Sequence, residues 1–408
     1  MVGGGAAGLV AAWRAASLGA RTRLLERNPR LGLKIHISGG GKCNITHAGE
    51  MEQVRRAFRP AEARFLHHAF RRFTNEEVLD LVRARGVRVH TRPDGRVFPD
   101  SGRADDVVEA LIYPLRTAGV SVELGVSVER LLRDGDRIRG AASARREYAA
   151  RTVLLAVGGS SYPKTGSTGD GYRWARELGH TIVPLRAALA PLYLRQPRPE
   201  WSGVALRACL LRARGGGKEL ARWEGDLLFT HHGVSGPTAL GVSREAALGL
   251  ERGPVTLDVD AAPDWTSEAL TEAFTGAHSQ AGRRPVRALL QRWLPERLTE
   301  GFATQAGVEA ALPLHQLSRK QRLRLVEALK RWDLGPVRTV PLERGEVTAG
   351  GVALEEVDPR TMASRRVPGL FLCGEILDIA GPIGGYNLQA AFSTGYVAGE
   401  GAVELLGR

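Results

Sequence analysis

The feature that most constrains this chain is a glycine turn close to its beginning. Gly3, Gly5 and Gly8 are spaced as G-x-G-x-x-G, and an apolar segment after them predicts a helix to about Leu18. The first glycine of such a turn allows a tight bend, the second lets phosphate approach the backbone, and the third lets the helix pack on a strand. The spacing therefore predicts the start of a Rossmann-like α/β domain that binds a dinucleotide.

A short strand with an acidic end follows this helix. Arg23–Glu26 reads RLLE, and Glu26 lies eighteen residues after the last glycine of the turn. In dinucleotide-binding domains an acid at this place accepts a hydrogen bond from a ribose hydroxyl, while the helix N-terminus faces the phosphates. Only Met1 and Val2 precede the turn, so we expect the strand before it to be truncated.

A second glycine-rich segment lies near the other end of the chain. Leu370–Cys373 predicts a short strand that ends near Glu375 and Asp378, and Gly384 and Gly385 precede a predicted helix. The two acids are candidates for binding a ribityl chain, and the helix N-terminus would stabilise negative charge on a reduced flavin. FAD is long enough to need a segment at each end, so the pair predicts one FAD site.

Two loops between these ends also place small residues near the expected cofactor. Ile35–Ile37 has the pattern of a short strand and runs into Gly39–Gly41, after which Lys42, Cys43 and Asn44 follow. Three successive glycines cost backbone entropy, which is understandable if the loop lies against a flat ring or a diphosphate. Lys42 would then offset negative charge, and Asn44 would bind flavin carbonyl groups.

The second loop, Gly158–Gly171, separates an apolar strand over Arg151–Val157 from a predicted helix over Tyr172–Leu178. Such a strand suits the buried parallel sheet of an α/β fold. The residues predicted to contact the cofactor are Gly3, Gly5, Ala6, Ala7, Gly8, Glu26, Arg27, Lys34, Ser38, Gly39, Gly40, Gly41, Lys42, Cys43, Asn44, Val126, Gly158, Gly159, Gly374, Glu375, Asp378, Gly384, Gly385, Asn387 and Leu388.

The remaining segments divide by their periodicity. Residues 50–110 are mostly helical in pattern, with a hairpin around Pro93–Gly95, and residues 188–262 are short strand-like runs with turns. Residues 264–333 have helical patterns, which include Val308–Leu312. The expected domains are an FAD-binding Rossmann-like domain over 1–186 and 350–408, a β-barrel-like insertion over 187–262 and 335–349, and a helical insertion over 263–334.

Composition limits the classes of partner. The formal net charge is +13, but the arginines are spread along the whole chain and no nucleic-acid-binding motif is present, so we expect no nucleic-acid partner. The three cysteines are far apart and form no C-x-x-C pair, which supports neither a disulfide framework nor a metal site. A reducing, cytoplasmic compartment is expected, without membrane association.

Several stretches together resemble the BaiN/YhiN-like NAD(P)/FAD-dependent oxidoreductases, a family also described as aminoacetone oxidases. They are GGGAAGL at Gly3, ISGGGKCNITH at Ile37, TGSTGDGYRWARELGH at Thr165, LLFTHHGVSGPTAL at Leu227, VTAGGVALEEVDPRTMAS at Val347 and GLFLCGEILDIAGPIGGYNLQAAFSTGYVAG at Gly369. The resemblance implies FAD, a discontinuous Rossmann-like domain with β-barrel and helical insertions, and a reductase role on unsaturated steroid-like acids. Lys42 stands where the family more often has arginine, which keeps the charge but loses bidentate geometry.

The leading functional hypothesis is an FAD-dependent oxidoreductase that passes hydride through flavin N5 between NAD(P)H and a small, including unsaturated, organic substrate. Because only one G-x-G-x-x-G occurs, NAD(P)H would bind only transiently. An oxygen-dependent amine oxidase and a flavin-containing RNA-binding or RNA-modifying protein remain alternatives. No general base stands out, and the catalytic candidates are Tyr386, His231, His232 and Cys43.

Overall fold

The computed structural model describes residues 1–280 and 283–407, and the chain forms two compact units. Unit 1 consists of Met1–Leu185 and Val347–Arg408, and unit 2 consists of Arg186–Glu346. The finer division of the inserted segment into separate barrel and helical domains stays a prediction. Among the described residues, no helix is both long and apolar enough to cross a membrane.

Helices are distributed over both units. Within the described residues the α-helices are α1 Ala6–Ser17, α2 Leu33–Gly41, α3 Met51–Arg56, α4 Pro60–Arg72, α5 Asn75–Arg83, α6 Ala104–Thr117, α7 Asp170–Glu177, α8 Gly236–Leu250, α9 Ser267–Gln280, α10 Val286–Leu290, α11 Glu296–Gln305, α12 Arg319–Lys330 and α13 Tyr386–Gly407.

The longest described strands lie in unit 2. The described strands are β1 Arg23–Glu26, β2 Thr46–His47, β3 Val89–Thr91, β4 Arg96–Pro99, β5 Ser121–Leu124, β6 Val128–Asp134, β7 Arg137–Ser143, β8 Glu147–Ala149, β9 Val153–Leu155, β10 Ile182–Ala188, β11 Leu192–Leu194, β12 Ala205–Gly215, β13 Lys218–Thr230, β14 Gly233–Ser235, β15 Val255–Asp260, β16 Trp332–Thr339, β17 Val347–Val352 and β18 Leu370–Leu372.

A parallel sheet forms the centre of unit 1. β1 pairs in parallel with β5, and β9 pairs in parallel with β18. Val2 joins the two pairs, because it forms parallel bridges to Leu25 of β1 and to Leu155 of β9. Val2, directly before the glycine turn, thus fills the central place of the sheet.

Smaller elements surround this sheet. β3 and β4 form the predicted antiparallel hairpin, to which β2 adds a third strand, and α3 to α6 supply the predicted helical segment. The glycines Gly395 and Gly399 let α13 pack closely on α1, since a Cβ on Gly399 would lie 2.7 Å from the carbonyl oxygen of Ala11 and one on Gly395 would collide with that of Ala7. The first and last helices of the chain thus form one layer.

Unit 2 contains a closed barrel with the strand order β11-β14-β13-β12-β15-β16. The apolar core of the unit includes Trp201, Phe229 and Trp332, whose rings lie 5.3–5.8 Å apart between centroids. Barrel strands and helices α8 to α12 share this core. The α/β fold class with a Rossmann-like sheet and a small barrel is therefore confirmed.

Three local predictions are wrong, each because packing overrides a short pattern. Ile35–Ile37 belongs to α2 rather than to a strand, since Ile35 is buried in a cluster with residues of α6. Val308–Leu312 is not helical, because its backbone bonds to residues 286–287. Helix α8 lies in a region predicted to be all β, and its Gly241 fits against the Trp223 ring, where a Cβ would collide.

Candidate functional site

The N-terminal glycine turn is tightly packed at Gly3 and Gly8 and open at Gly5. Gly3 has a φ of +98°, and a Cβ on Gly8 would collide with the carbonyl oxygen of Gly3. By contrast, a Cβ on Gly5 would meet no protein atom within 4 Å. Ala6 and Ala7 begin α1 directly after Gly5, which makes no side-chain capping bond. The first amide groups of a helix have no partner within the helix, so a helix end with open space at its N-cap suits an anion.

Glu26 accepts a hydrogen bond from the backbone of the glycine turn. Its carboxylate accepts hydrogen bonds from the Gly4 amide at 2.6 Å and from the Asn28 amide at 2.8 Å, and the residue is 7% exposed. Val126 lies beside it, since its amide donates to the Glu26 carbonyl oxygen at 2.9 Å. The predicted bond from a ribose hydroxyl to Glu26 stays a prediction, for which a carboxylate keeps unused acceptor sites.

Arg27 connects the end of β1 to the polar loop before α7. Its guanidinium donates to Thr168 Oγ1 at 2.6 Å, to Asp170 Oδ2 at 2.9 Å and to Ser127 Oγ at 3.1 Å. The hydrogen bond from Thr168, together with the one from Arg27, lowers the pKa of Asp170. Arg27 is thus fixed as a half-buried cation beside the dinucleotide turn.

The three glycines at 39–41 form an open left-handed loop. Gly39, Gly40 and Gly41 have φ angles of +58°, +69° and +83°, which interrupt α2. A Cβ on Gly39 would lie 2.9 Å from the Asn44 amide, whereas one on Gly40 would meet nothing within 4 Å. Ser38 Oγ donates to the Ile35 carbonyl oxygen at 2.8 Å, which fixes the start of the loop. The exposed Lys42 follows at its end.

Asn44 and Cys43 directly after this loop behave differently. Among the described residues, Asn44 Oδ1 is buried and has no hydrogen-bond partner. A buried carbonyl oxygen without a donor costs about 1–3 kcal/mol, so this atom is suited to accept from a bound molecule. Cys43 is fully buried, and burial raises the pKa of its thiol to about 12. Its thiol therefore carries its proton at neutral pH, which does not suit a redox thiolate.

The C-terminal glycine loop lies directly against the strand that follows Asn44. A Cβ on Gly385 would lie 2.5 Å from the Thr46 carbonyl oxygen, and the Gly384 carbonyl oxygen is 3.1 Å from His47 Nδ1. Thr46 Oγ1 also donates to Gln389 Oε1 of α13 at 2.6 Å. The structure thus brings together two glycine-rich segments that lie hundreds of residues apart in the sequence.

The same C-terminal segment also touches the N-terminal turn. A Cβ on Gly374 would lie 2.8 Å from the Ala7 Cβ, and the Gly374 amide donates to Thr394 Oγ1 at 3.0 Å. Asn387 closes the loop before α13, because its side chain accepts from the Gly381 amide at 2.8 Å and donates to the Gly381 carbonyl oxygen at 3.0 Å. The neighbouring Leu388 instead packs against a core cluster of unit 1.

Lys34 of α2 and Glu375, which follows β18, form a half-buried ion pair. Lys34 Nζ lies 2.6 Å from Glu375 Oε2 and donates to Ser161 Oγ at 2.9 Å, with the two charged side chains 27% and 17% exposed. The Thr348 amide donates to Glu375 Oε1 at 2.8 Å. Glu375 is thus committed to protein donors on two oxygens.

The neighbouring predicted residues fit around this pair. Gly159 must be glycine here, because its Cβ would collide with the Thr348 side chain and lie 3.1 Å from the Glu375 carboxyl carbon. Gly158 has a φ of +73°, and its Cβ would lie 2.8 Å from Ser167 Oγ. Asp378 accepts from the Gly350 amide at 3.0 Å, which ties it to β17.

The catalytic candidate Tyr386 lies at the start of α13. Its ring stacks on His47 with centroids 4.5 Å apart and meets the edge of Phe58 at 6.1 Å. Its hydroxyl has no hydrogen-bond partner in the described part of the chain. Burial raises the pKa of Tyr386, so the phenol keeps its proton at neutral pH. It is therefore available as a proton donor.

The candidates His231 and His232 belong to unit 2. Both are exposed in the turn between β13 and β14. The His232 ring lies 5.1 Å from the ring of Tyr193 on β11, and the Arg338 guanidinium is 5.9 Å above that tyrosine ring. The two histidines thus form part of a polar rim of the barrel, and a catalytic role for them stays a prediction.

Sequence reasoning missed Ser161 and Thr348, which complete the cluster around Glu375. Thr348 Oγ1 accepts from the Ser160 amide at 2.8 Å and from the Ser161 amide at 3.1 Å. Thr348 lies in a stretch that carries the family resemblance and Ser161 lies in the Gly158–Gly171 loop, but a lone hydroxyl in either place gives no signal of its own. In the described residues, no group of three or more potential metal ligands is present.

Comparisons with known proteins cover almost the whole chain. A family model described as HI0933-like protein Rossmann domain matches residues 1–401. The 3-dehydro-bile acid delta(4,6)-reductase of Clostridium scindens is 32% identical over 408 residues, which are 99% of this chain and 98% of that protein. The ribosomal RNA dihydrouridine synthase of Escherichia coli is 30% identical over 404 residues, which are 98% and 96% of the two chains.

Solved structures share the fold at low identity. The 3-ketosteroid delta1-dehydrogenase of Sterolibacterium denitrificans has a TM-score of 0.53 at 14% identity, with 99% of this chain and 98% of that chain covered. The 3-ketosteroid-delta4-(5alpha)-dehydrogenase of Rhodococcus jostii RHA1 has a TM-score of 0.51 at 17% identity, with 98% and 95% covered. These similarities concern the fold of the chain.

Proposed function

This chain belongs to the HI0933-like protein Rossmann domain family, and on that premise we propose that it is an FAD-dependent reductase of activated carbon–carbon double bonds. The observation that carries the proposal is the meeting of the two ends of the chain in unit 1. Gly374 lies against Ala7 of the dinucleotide turn, and Gly385 lies against Thr46 after the central glycine loop. Only a cofactor as long as FAD would use all these loops together.

The residues present fit FAD in three ways. The open space at Gly5, in front of the N-terminus of α1, would take the diphosphate. The open, left-handed loop at Gly40 would let the backbone approach a flat ring. The buried Asn44 Oδ1, which lacks a donor, would accept a hydrogen bond from the flavin edge. Bound FAD would supply a two-electron carrier of hydride, which amino-acid side chains do not provide.

The names of the relatives favour reduction over oxidation. One is named for making dihydrouridine and the other for reducing the Δ4,6 positions of a bile acid. Both products arise when hydrogen is added across a double bond that is conjugated to a carbonyl group. Such an addition needs a hydride for one carbon and a proton for the other.

We assign the proton to Tyr386. Its phenol is protonated at neutral pH, has no partner among the described residues, and lies where α13 begins beside the C-terminal glycine loop. The stacked His47 and the edge of Phe58 fix the orientation of the ring. Lys34 and Glu375 have a positioning role, since their ion pair joins α2 to the segment after β18 beside the expected cofactor. NAD(P)H is proposed as the hydride source, bound transiently.

Anaerobic spectroscopy of the purified protein tests this function. We expect a yellow protein that is bleached by NADH or NADPH and recovers its colour when a 3-oxo-4-ene steroid or a uridine-containing RNA is added. The reduced product, a saturated ketone or dihydrouridine, would be measured by mass spectrometry. A colourless protein that does not bind added FAD would end the proposal. A yellow protein that produces peroxide from amines, and whose reduced flavin is not reoxidised by unsaturated substrates, would favour the amine oxidase.

A further inference from the structure

Tyr162 has a backbone conformation that is costly for its residue type. It lies in the loop before α7 with a φ of +50° and a ψ of +63°, in the left-handed region. Residues with a Cβ enter this region at a cost, and a residue directly before a proline is pushed towards extended conformations. Pro163 follows Tyr162 directly, so both restrictions act on the same residue. Such strain persists only where the surroundings enforce it, and it is concentrated at binding sites.

The other left-handed residues that are not glycine have simpler explanations. In the described part of the chain they are Cys43, Leu189, Ala208 and Met362. Cys43, Leu189 and Met362 are buried, so packing in the core compensates for their strain, and Ala208 has a small side chain. Tyr162 is instead 38% exposed. Its ring stacks on no other described ring and its hydroxyl has no described hydrogen-bond partner, so neither contact compensates for the strain of its backbone.

Hydrogen bonds fix the chain on the N-terminal side of Tyr162. The preceding Ser161 is fully buried, and its Oγ donates to Glu375 Oε1 at 3.0 Å and accepts from Lys34 Nζ at 2.9 Å. The Ser161 amide donates to Thr348 Oγ1 at 3.1 Å. The residue next to Tyr162 is therefore bonded to Glu375, the carboxylate that the sequence places near the ribityl chain of FAD.

A second set of hydrogen bonds fixes the C-terminal side. The Tyr162 carbonyl oxygen accepts from the Thr165 amide at 2.9 Å and from Thr165 Oγ1 at 2.8 Å. The Thr165 carbonyl oxygen accepts from Asn28 Nδ2 at 3.1 Å, and the same Nδ2 donates to Glu26 Oε1 at 2.6 Å. Glu26 is the carboxylate that the sequence assigns to a ribose hydroxyl. Residues 161–165 thus run between the two acids expected on either side of the FAD diphosphate.

We infer that the Tyr162 side chain packs against bound FAD, between the ribityl chain and the adenosine ribose. This inference rests on the proposed function and adds a cofactor-binding residue to it. A glycine would adopt the same backbone without strain, so the strain at Tyr162 is compensated when its ring gains a contact with a bound molecule. FAD that lies along residues 161–165 would cover the exposed part of the ring and remove it from water.

A purely structural role for the ring leads to a different expectation. If the ring only held the loop, its removal would destabilise the protein with and without FAD. If the ring packs on FAD, its removal would weaken the holoprotein while the apoprotein stays at least as stable as before. Glycine and asparagine both adopt the left-handed conformation readily, so these two residues separate the contribution of the ring from that of the backbone.

Release of FAD from the full-length holoprotein tests the inference. Tyr162→Gly and Tyr162→Asn remove the ring, and Tyr162→Phe keeps the ring but removes the hydroxyl. The matched control is Ala208→Gly in unit 2, which relieves left-handed strain at another exposed position, where φ is +46°. Each holoprotein is diluted into buffer without FAD, and the change in flavin fluorescence gives the dissociation rate. Urea unfolding of each apoprotein gives its stability.

We expect Tyr162→Gly and Tyr162→Asn to release FAD about 3- to 10-fold faster, since FAD would cover the 38% of the residue that is exposed. Both apoproteins should be at least as stable as the unchanged apoprotein. Tyr162→Phe and Ala208→Gly should release FAD within about twofold of the unchanged rate. An unchanged rate in the two ring-free variants, equally fast release from Tyr162→Phe or the control, or a loss of apoprotein stability in the ring-free variants would overturn the inference.

The outcomes for this residue and for the proposed function can be told apart. A protein that binds no FAD would refute the proposed function and this inference with it. A yellow protein whose ring-free variants release FAD at the unchanged rate would refute the role of Tyr162 alone. A protein in which Tyr162 behaves as expected, but which reduces no unsaturated substrate, would refute the reductase alone.

Discussion

Replacement of Gly5 by alanine tests whether a phosphate lies at the N-terminal turn. Gly5 has φ −84° and ψ −168°, which alanine can adopt, and a Cβ there meets no protein atom within 4 Å. Reduced freedom of the unfolded chain favours alanine by about 0.4–1 kcal/mol, while an alanine N-cap costs about 0.5–1 kcal/mol. Because these terms nearly cancel, we expect the free energy of unfolding of the apoprotein to change by less than about 1 kcal/mol.

The same methyl group should interfere with FAD. If the diphosphate fills the open space at Gly5, the added carbon overpacks it at a cost of about 1–3 kcal/mol. That cost corresponds to an FAD dissociation constant about 5- to 150-fold higher. Titration of the apoprotein with FAD, followed by flavin fluorescence, measures the affinity, and urea unfolding of the apoprotein measures its stability.

Alanine substitutions at two other glycines serve as controls for Gly5→Ala. Gly276→Ala on α9 also adds a Cβ that meets no atom within 4 Å, and it should leave FAD affinity unchanged while it stabilises the helix by about 0.5–1 kcal/mol. Gly8→Ala should destabilise the apoprotein itself, since its Cβ collides with the Gly3 carbonyl oxygen. Unchanged FAD affinity in Gly5→Ala would refute the placement of the diphosphate at this turn.

Three further outcomes follow from the structure. Tyr386→Phe should keep FAD and its reduction by NAD(P)H but slow the reoxidation by substrate about 10²- to 10⁴-fold in stopped-flow traces, and an unchanged rate would remove the tyrosine as proton donor. Lys34→Met should destabilise the protein by about 1–2 kcal/mol in urea unfolding, less than for a fully buried pair because its side chain is 27% exposed, and Glu375→Gln in the same chain should restore part of the loss. Burial lowers the pKa of His180, so the unfolded chain binds the proton first and stability should fall as pH drops below about 6.5; His180→Gln should flatten that part of the pH profile, and an unchanged profile would contradict this reasoning.

Some elements could be predicted from the sequence because a few neighbouring residues contain the whole pattern that determines them. β1 has the bounds Arg23–Glu26 that the sequence predicts. The hairpin of β3 and β4 follows from the turn Pro93–Gly95, where Gly95 takes a φ of +80°. In each case the sequence neighbours alone determine the conformation.

Packing against remote residues explains what the sequence did not reveal. Helix α8 contains Gly241 and Gly249, which lower its intrinsic helix propensity, and those glycines are needed because Trp223 and Leu220 lie against them. Ile35–Ile37 has two β-branched residues within three positions. A pattern this short fits both a strand and a short helix. Only the burial of Ile35 beside α6 decides between them.

The candidate site was predictable where glycine marks a close approach of the backbone, as at Gly3, Gly8 and Gly385. It was not predictable where polar side chains meet across the fold, because the partners of Glu375 come from residues 34, 161 and 348. The orphan oxygen of Asn44 likewise becomes visible only when its burial is known.

The packing of α13 on α1 sets an order of events during synthesis of the chain. The barrel of unit 2 uses the continuous segment Arg186–Glu346, so all its strands leave the ribosome before α13 is made. The N-terminal turn emerges first, yet it acquires its neighbour Gly374 and the close contact at Gly395 only near the end of translation. We therefore expect a nascent chain to contain a complete barrel in unit 2 before unit 1 can pack its final helix, α13.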